Sequence, residues 1–292
     1  MKIIESNAKS ILTKTRGFLY SFTHTINPYI GCQLGLSLCG NYCYAKALNP
    51  NLDAKEWGKY IIAKINAPML YKKEYTKYDK LEIFMTSVTD PYPPIEFRYN
   101  ITRKILEAML EYPPDRLVIQ THTPNILRDI SLLKELNELC KLSIHITVET
   151  DMENESLAKR YKDRLKHMYT IASRLDALRK FKDAGIRSVA TISPLMPLED
   201  PIKFAKKIDH AANYVILDHF ILGDGSNGIR TSSYKYFNKP LPILLYNNGY
   251  SEWIKLNKFY AIVDIFREVL GYDRVGISKE GFNSNAFIDL EL

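Results

Sequence analysis

Three thiols fall within twelve positions, at Cys32, Cys39 and Cys43, in a stretch that runs Thr25-Ile26-Asn27-Pro28-Tyr29-Ile30-Gly31-Cys32 and then Cys39-Gly40-Asn41-Tyr42-Cys43-Tyr44-Ala45-Lys46. Thiolates are soft ligands, suited to zinc and iron–sulfur clusters. Three thiolates from one loop can wrap a [4Fe–4S] cluster and leave one iron without a protein thiolate. That iron is then open to a substrate or cofactor, which a four-cysteine electron-transfer cluster does not allow. The competing reading is a structural zinc held by three cysteines and a histidine such as His24. Zinc loops usually carry C-x2-C pairs, and none is present. A third reading, small buried apolar cysteines, fits poorly with three in one glycine-containing loop. Cys140, between Leu139 and Lys141 at the end of an amphipathic pattern, reads as core and not as a fourth ligand.

Such a loop needs a scaffold, and the rest of the 292 residues supplies a regular one. Strands are expected over 18–26, 59–65, 81–86, 116–120, 142–148, 187–193 and 214–221, from their β-branched and aromatic content. Helices are expected over 67–75, 100–112, 124–140, 173–184, 201–211 and 255–270, with Gly185 and Gly271 as C-terminal stops. Six of the strands alternate with helices, which makes βαβ units and a parallel sheet. With right-handed crossovers the expected fold is α/β, a partial (βα)6 TIM-like barrel of parallel strands. It forms one domain over 1–292, with the barrel at about 18–222 and a C-terminal extension over 223–292.

In a barrel of this kind the chemistry sits at the carboxyl ends of the strands. His24, Asn27, Thr89, Asp90, His122, Thr123, Glu149, Thr150, Ser193, Asp218 and His219 fall there. Asp218 and His219, with the loop Gly223-Asp224-Gly225-Ser226-Asn227-Gly228, are candidates to line a substrate pocket. Tyr44, beside the last cysteine of the loop, joins them as a candidate catalytic residue. Arg128-Asp129 reads as a local pair, Glu96 and Arg103 as a structural pair, and Arg174 as solvated. The aromatics of 229–254 read as core.

Composition is ordinary for a globular protein, 46% hydrophobic and 25% charged. No apolar run approaches the ~20 residues a spanning helix needs. Residues 1–7 lack the apolar centre of a secretory signal, so a cytoplasmic location and no membrane partner are expected. Lys+Arg 40 against Asp+Glu 33 gives a net charge of +7. This balance permits a nucleic-acid partner, DNA or RNA, without requiring one.

Taken in order, Asn27-Pro28-Tyr29, Gly31-Cys32, Tyr42-Cys43-Tyr44-Ala45, Thr89-Asp90-Pro91-Tyr92-Pro93-Pro94-Ile95-Glu96, Thr102-Arg103, Thr121-His122-Thr123, Arg128-Asp129 and Arg174-Leu175 resemble the radical S-adenosylmethionine (SAM) superfamily, in its spore photoproduct lyase-like branch. The resemblance runs from about residue 24 to 222. It implies that Cys32, Cys39 and Cys43 ligate a [4Fe–4S] cluster whose open iron takes the amino and carboxylate groups of SAM. Tyr42 would pack near the adenine, and Thr89-Asp90 would meet the SAM amino group. His122 and Thr147 or Glu149 would face its carboxylate and ribose. An external one-electron reductant would drive cleavage to a 5′-deoxyadenosyl radical that abstracts hydrogen from a substrate.

The chain departs from the resemblance in three places. The spacing is C-x6-C-x3-C, longer than the superfamily's usual C-x3-C-x2-C. Thr86-Ser87-Val88-Thr89-Asp90 lacks the hydrogen-donor cysteine of spore photoproduct lyase, which argues against the same thymine-dimer reversal. His122 stands where the branch usually carries lysine. The alternative of another class is a nucleic-acid-binding protein whose metal loop is a structural zinc site.

Overall fold

A computed structural model describes residues 1–48, 54–163 and 165–284. Its strands are β1 (Lys2–Ser6), β2 (Thr13–Lys14), β3 (His24–Ile26), β4 (Tyr29–Gly31), β5 (Tyr60–Lys64), β6 (Glu82–Met85), β7 (Arg116–Thr121), β8 (Lys141–Thr147), β9 (Arg187–Ile192), β10 (Tyr214–Leu217) and β11 (Val275–Ile277). They form two sheets, a small one in the order β1-β5-β4 and a large one in the order β11-β10-β9-β8-β7-β6-β3-β2. In the large sheet every neighbouring pair is parallel except β2 with β3. Helices cover its outer face, so strands such as β7 and β8 are buried almost throughout, as parallel strands must be. The fold is a partial barrel of the α/β type. No helix among the described residues is long and apolar enough to cross a membrane.

Alternation along the strands divides the outer core from the lumen. Leu117, Ile119, Leu142, Ile144 and Ile146 face outward into one large apolar cluster with Ile105, Leu133, Leu136, Phe181 and Phe266 of the helices. The deep lumen is a second apolar cluster of Leu19, Phe22, Phe84, Val118, Val189, Ile216 and Phe282. His145 lies there against the rings of Phe84 and Phe282, and burial next to Arg187 lowers its pKa to about 3, so it is neutral. Above this plug the lumen turns polar, with Gln120, Thr147 and Thr191 joined by hydrogen bonds of 2.7–2.9 Å.

The sheet stays open between β11 and β2, and side chains bridge the gap. Asn283 donates through Nδ2 to the Phe18 carbonyl at 2.6 Å and accepts from the Ser21 N–H at 2.9 Å. The rings of Phe18 and Phe282 lie 5.6 Å apart.

Several element boundaries differ from expectation. The stretch 18–26 is a 3-10 turn (Gly17–Leu19) followed by the short β3, because Leu19 and Phe22 turn into the deep lumen instead of continuing a ladder. The 124–140 helix begins as a 3-10 turn (Pro124–Asp129) before the α-helix Ile130–Asn137. The last expected strand stops at Leu217, and Ile221 is helical (Phe220–Gly223). The parallel sheet also takes a strand from beyond residue 222: β11, three residues long and containing Gly276, is too short to show an alternation. Of the expected C-terminal extension, residues 285–292 lie outside the described ones.

A buried carboxylate braces the first turns around the cysteine loop. Glu96, 1% exposed, accepts the Tyr29 hydroxyl, the N–H groups of Thr102 (3.0 Å) and Arg103 (3.1 Å), and Arg128 Nη2 (2.9 Å). Arg128 also pairs with Asp129 at 2.7 Å, and Arg103 reaches Asp129 (2.6 Å) and Glu107 (3.0 Å) rather than Glu96 with its side chain. Removing one partner from a buried pair leaves the other charge uncompensated. Glu96→Ala is therefore expected to lower stability by about 3 kcal/mol, measured by urea unfolding of the apo-protein. A loss indistinguishable from an exposed Glu→Ala control would contradict the brace.

Candidate functional site

The six residues between Cys32 and Cys39 do not bulge freely. Gln33–Leu36 and Leu38–Asn41 each form a 3-10 turn, and a third, Tyr44–Leu48, follows Cys43. This accounts for the long spacing: the extra residues are one additional turn, folded against Trp57 and Gly58. Gly40 permits it, since a Cβ there would stand 1.8 Å from the Gly35 carbonyl oxygen. The loop hangs from the barrel by the Leu38 N–H to the Lys166 carbonyl (2.6 Å), Gln33 Oε1 to the Ile95 N–H (2.7 Å) and the Tyr44 hydroxyl to the Ser87 carbonyl (2.5 Å). Asn27, just before it, accepts the N–H groups of Ser87 and Val88, both at 3.2 Å.

Cys32, Cys39 and Cys43 all line one cavity of about 520 Å³ that runs from the loop into the polar part of the lumen. None is in a disulfide. A hydrogen bond from Cys39 lowers Cys43 to about 7 against the opposing effect of burial, while Cys39, through the same bond and burial, and Cys32, through burial, are pushed well up. Three adjoining soft donors on one cavity wall fit a cluster. Among the described residues no three His, Cys, Asp or Glu side chains already surround an ion-sized point. His24, considered as a zinc ligand, sits at the start of β3, contacts Thr23 at 3.0 Å and packs at a tilt of 58° on Tyr78, with ring centres 4.3 Å apart. The imidazole beside the thiols is His122, with Nε2 3.7 Å from Cys39 Sγ. Cys140, half-buried, packs against the outer core.

The cavity brings together Tyr44, Thr89, Asp90, His122, Thr147 and Asp218 with the cysteines. Asp90 is fully engaged: Oδ1 accepts the Tyr92 N–H (2.9 Å) and the Thr121 hydroxyl (2.8 Å), and Oδ2 accepts the His122 N–H (2.8 Å). It thereby ties the end of β6 to the end of β7. The Thr89 hydroxyl donates to the Gly31 carbonyl at 2.7 Å.

Tyr42, Glu149 and His219 are not among the residues lining that cavity. Tyr42 packs behind the loop with Leu38, Met152 and Met196, and its hydroxyl donates to Glu149 Oε1 at 2.8 Å. Glu149 in turn pairs with Arg174 Nη1 at 2.6 Å, and Arg174 donates to the Thr147 carbonyl at 2.7 Å. Arg174, expected to be solvated, is 2% exposed. Burial disfavours the Glu149 carboxylate, but Arg174 and His167 offset it and hold this group below the usual range. His219 caps the short helix after β10: Nδ1 accepts the Ile221 N–H at 3.3 Å and Nε2 meets the Trp253 carbonyl at 3.1 Å.

Sequence reasoning missed Gln120, Phe84, Phe282, Trp57 and Arg230 as cavity walls; only the lumen face of β7, readable from alternation, hinted at Gln120. Gln120 Oε1 and Asp218 Oδ1 are buried without a hydrogen-bond partner, and buried acceptors of this kind want donors. The Ser193 hydroxyl donates to Asp218 Oδ2 at 2.9 Å. Gly223 lets the chain close over this carboxyl, since a Cβ there would lie 1.7 Å from Oδ2. Burial raises Asp218 to about 6 even with Ser278 and Ser193 working against it. In the glycine loop, Asp224 organises the backbone by accepting from the N–H groups of Ser226 (2.7 Å), Gly228 (2.9 Å) and Arg230 (2.9 Å). Of the 229–254 aromatics, Phe237 is buried, whereas Tyr234 and Tyr246 are exposed.

Among known proteins, the radical SAM superfamily description matches residues 26–211. An uncharacterized protein of Methanocaldococcus jannaschii is 31% identical over 197 residues, 68% of this chain and 69% of that relative. The solved structure of spore photoproduct lyase complexed with dinucleoside spore photoproduct superposes with a TM-score of 0.52 at 13% identity, over 74% of this chain and 61% of that one. A mutant of that enzyme with the same ligand gives the same TM-score at 14% identity, over 74% of this chain and 60% of that one. The chain thus spans about six-tenths of the length of these solved chains, and the likeness is one of fold.

Two outcomes follow from this geometry. Arg174→Met strips Glu149, the acceptor of the Tyr42 hydroxyl, of its guanidinium partner. It is expected to cost about 3–5 kcal/mol and to lower the iron retained after anaerobic reconstitution; iron content equal to wild type would refute the clamp. For Asp218, the native state holds its proton more tightly than the unfolded chain does. Its contribution to stability is present below about pH 4 and is lost as pH rises through about 6. Asp218→Asn escapes that loss, so its apo-protein should gain on wild type by on the order of 2 kcal/mol between pH 4 and 7.5. Urea unfolding at both pH values measures it, and a pH-independent difference would exclude the buried carboxyl as the cause.

Proposed function

We propose, for a chain that belongs to the radical SAM superfamily, that Cys32, Cys39 and Cys43 hold a [4Fe–4S] cluster and that the adjoining cavity receives SAM and a substrate. The observation that carries this reading is the convergence of three thiols from one loop on a barrel cavity of about 520 Å³, a size suited to a small-molecule ligand. When bound, the cluster supplies one electron to SAM, giving methionine and a 5′-deoxyadenosyl radical that takes a hydrogen atom from the substrate. The chain works in the cytoplasm, where thiols stay reduced.

The chain's own groups position and shield these partners. Thr89, His122 and Thr147 line the cavity and would face SAM bound there. Asp90 acts by fixing the end of β7, which sets the His122 ring beside Cys39. Tyr42 and Glu149 act one layer back, by holding the loop. Tyr44 and Asp218 line the same cavity and would face the substrate, over an apolar plug that includes Phe84 and Phe282.

For the substrate we propose a nucleotide-bearing molecule, DNA or RNA included. Lys14, Arg16 and Arg230 stand around the cavity, the net charge is +7, and the enzyme of similar fold is complexed with a dinucleoside photoproduct. The absence of a cysteine in Thr86–Asp90 separates the reaction from thymine-dimer reversal. Binding to single- and double-stranded oligonucleotides should weaken steeply with salt; undetectable binding at low salt would remove the nucleic-acid part of the proposal.

The cluster and its chemistry are tested by anaerobic reconstitution with iron and sulfide, then reduction with SAM present. The expected result is a band near ~400 nm and release of 5′-deoxyadenosine. Alanine at Cys32, Cys39 or Cys43 should abolish both, and Cys140→Ala should spare both. One tightly held zinc and no iron in anaerobically purified protein would sink the reading.

A further inference from the structure

Two buried acceptors on residues of the cavity wall have no hydrogen-bond partner among the described residues. One is Gln120 Oε1. Gln120 Nε2 donates to the hydroxyls of Thr147 (2.7 Å) and Thr191 (2.8 Å), which contact each other at 2.9 Å. The amide thus has both donors in use and its oxygen to spare. The other is Asp218 Oδ1. Asp218 is 3% exposed, and its Oδ2 takes the Ser193 hydroxyl at 2.9 Å. The Ser278 hydroxyl stands near the carboxyl on the side of a separate groove, yet it makes no hydrogen bond.

The strands place these acceptors in neighbouring layers of the lumen. Register sets Thr147 beside Thr191 and Thr191 beside Ile216. The Asp218 N–H continues the ladder to the Ile192 carbonyl at 2.9 Å, so Asp218 is the next lumen-facing position after Ile216, about 7 Å further along the strand. Gln120 reaches the lower of the two layers from β7 and Asp218 occupies the upper one.

A buried acceptor without a donor is costly, and a ligand that brings the donor removes the cost. Two spare acceptors call for a group with hydrogens to give and no lone pair turned toward them. The exocyclic amino group of a nucleobase is such a group. An oxo group in its place sets oxygen against oxygen. Asp218 is ionised above about pH 6, so near neutral pH it accepts and does not donate. Lys14, Arg16 and Arg230 of the same cavity suit the phosphate of such a ligand. Arg230 and Asp218 both lie close enough to Tyr44 to act on its hydroxyl.

We infer that Asp218 selects the base of the substrate, and that the base it selects carries an exocyclic amino group, with Gln120 as the second acceptor. The inference rests on the nucleotide reading above and narrows it to amino-bearing bases over thymine and uracil. No bond forms or breaks at Asp218; it acts by contact with the base.

The test is calorimetric titration of the reconstituted full-length protein, oxidised and saturated with SAM, at pH 7.5. Two pairs of probes set amino against oxo at one position of the base: CMP with UMP, and AMP with IMP. Wild type should bind the amino member of a pair more tightly by about tenfold or more. In Asp218→Asn the amide can turn its Nδ2 toward the base. The preference should then shrink to within about twofold, or reverse, through a gain in UMP or IMP affinity that a misfolded variant could not give. Ser278→Ala, behind the carboxyl, should keep the wild-type preference. Equal binding of both members by wild type, or an unchanged preference in Asp218→Asn, would overturn the inference. So would weaker SAM binding in Asp218→Asn with no change of preference, since the carboxylate would then serve the cofactor. If wild type binds none of the four, the nucleotide reading itself fails and takes this inference with it.

Discussion

The buried pair of Glu149 and Arg174 bears on everything else at the site. The cysteine loop is built of short 3-10 turns, whose hydrogen-bond geometry is poorer than that of an α-helix. The loop owes its position to what it leans on. Glu149 takes the Tyr42 hydroxyl, and Arg174 ties Glu149 to the end of β8 through the Thr147 carbonyl. A charge pair this deep is costly to desolvate and weak evidence for net stability. Its use here is geometric, because it links the residue before Cys43 to a barrel strand. The same logic recurs in the buried Asp90 and Glu96 and in the half-buried Asn27, each an acceptor that joins the loop region to a strand end or helix start.

This arrangement separates holding from touching. The motif residues that make the chain resemble its superfamily are largely braces: Asn27, Tyr29, Asp90, Glu96, Arg128 and Arg174 spend their hydrogen bonds on the protein itself. The groups left with capacity for a ligand are others, namely His122, Thr147, Asp218 and Gln120 on the cavity wall. Below them the cluster of Phe84 and Phe282 sets an apolar floor, next to which a polar contact to a ligand is worth more than in water.

Much of the frame was legible along the chain. β6 to β9 and the helices between them announced themselves by β-branched runs, helical spacing and glycine stops, and each lies within a few residues of where its pattern placed it. The short pieces were illegible. β11 has three residues and a glycine, too few for a period, and the stretch before β3 left its ladder because Leu19 and Phe22 were needed inside the lumen. Among site residues, strand-end position brought Thr89, Asp90, His122, Thr147 and Asp218 to the cavity. It also pointed to His219, which the next residues of the chain turned into a helix cap.

The sequence by itself determined that three thiols would come from one loop and that parallel strands would present it, because ligand type and local period are written in neighbouring residues. Only the tertiary structure decided which polar side chains meet a ligand and which are consumed by the protein. Arg174 and Glu149 are 25 positions apart and bond; Trp57 and Cys43 share one wall with a segment between them; Asp218 is left with an unmatched oxygen while Asp90 is saturated. Period tells a residue's face, but not what stands opposite it. That partner is supplied by chain closure across the barrel, and it fixes whether a buried polar atom is a brace or a contact.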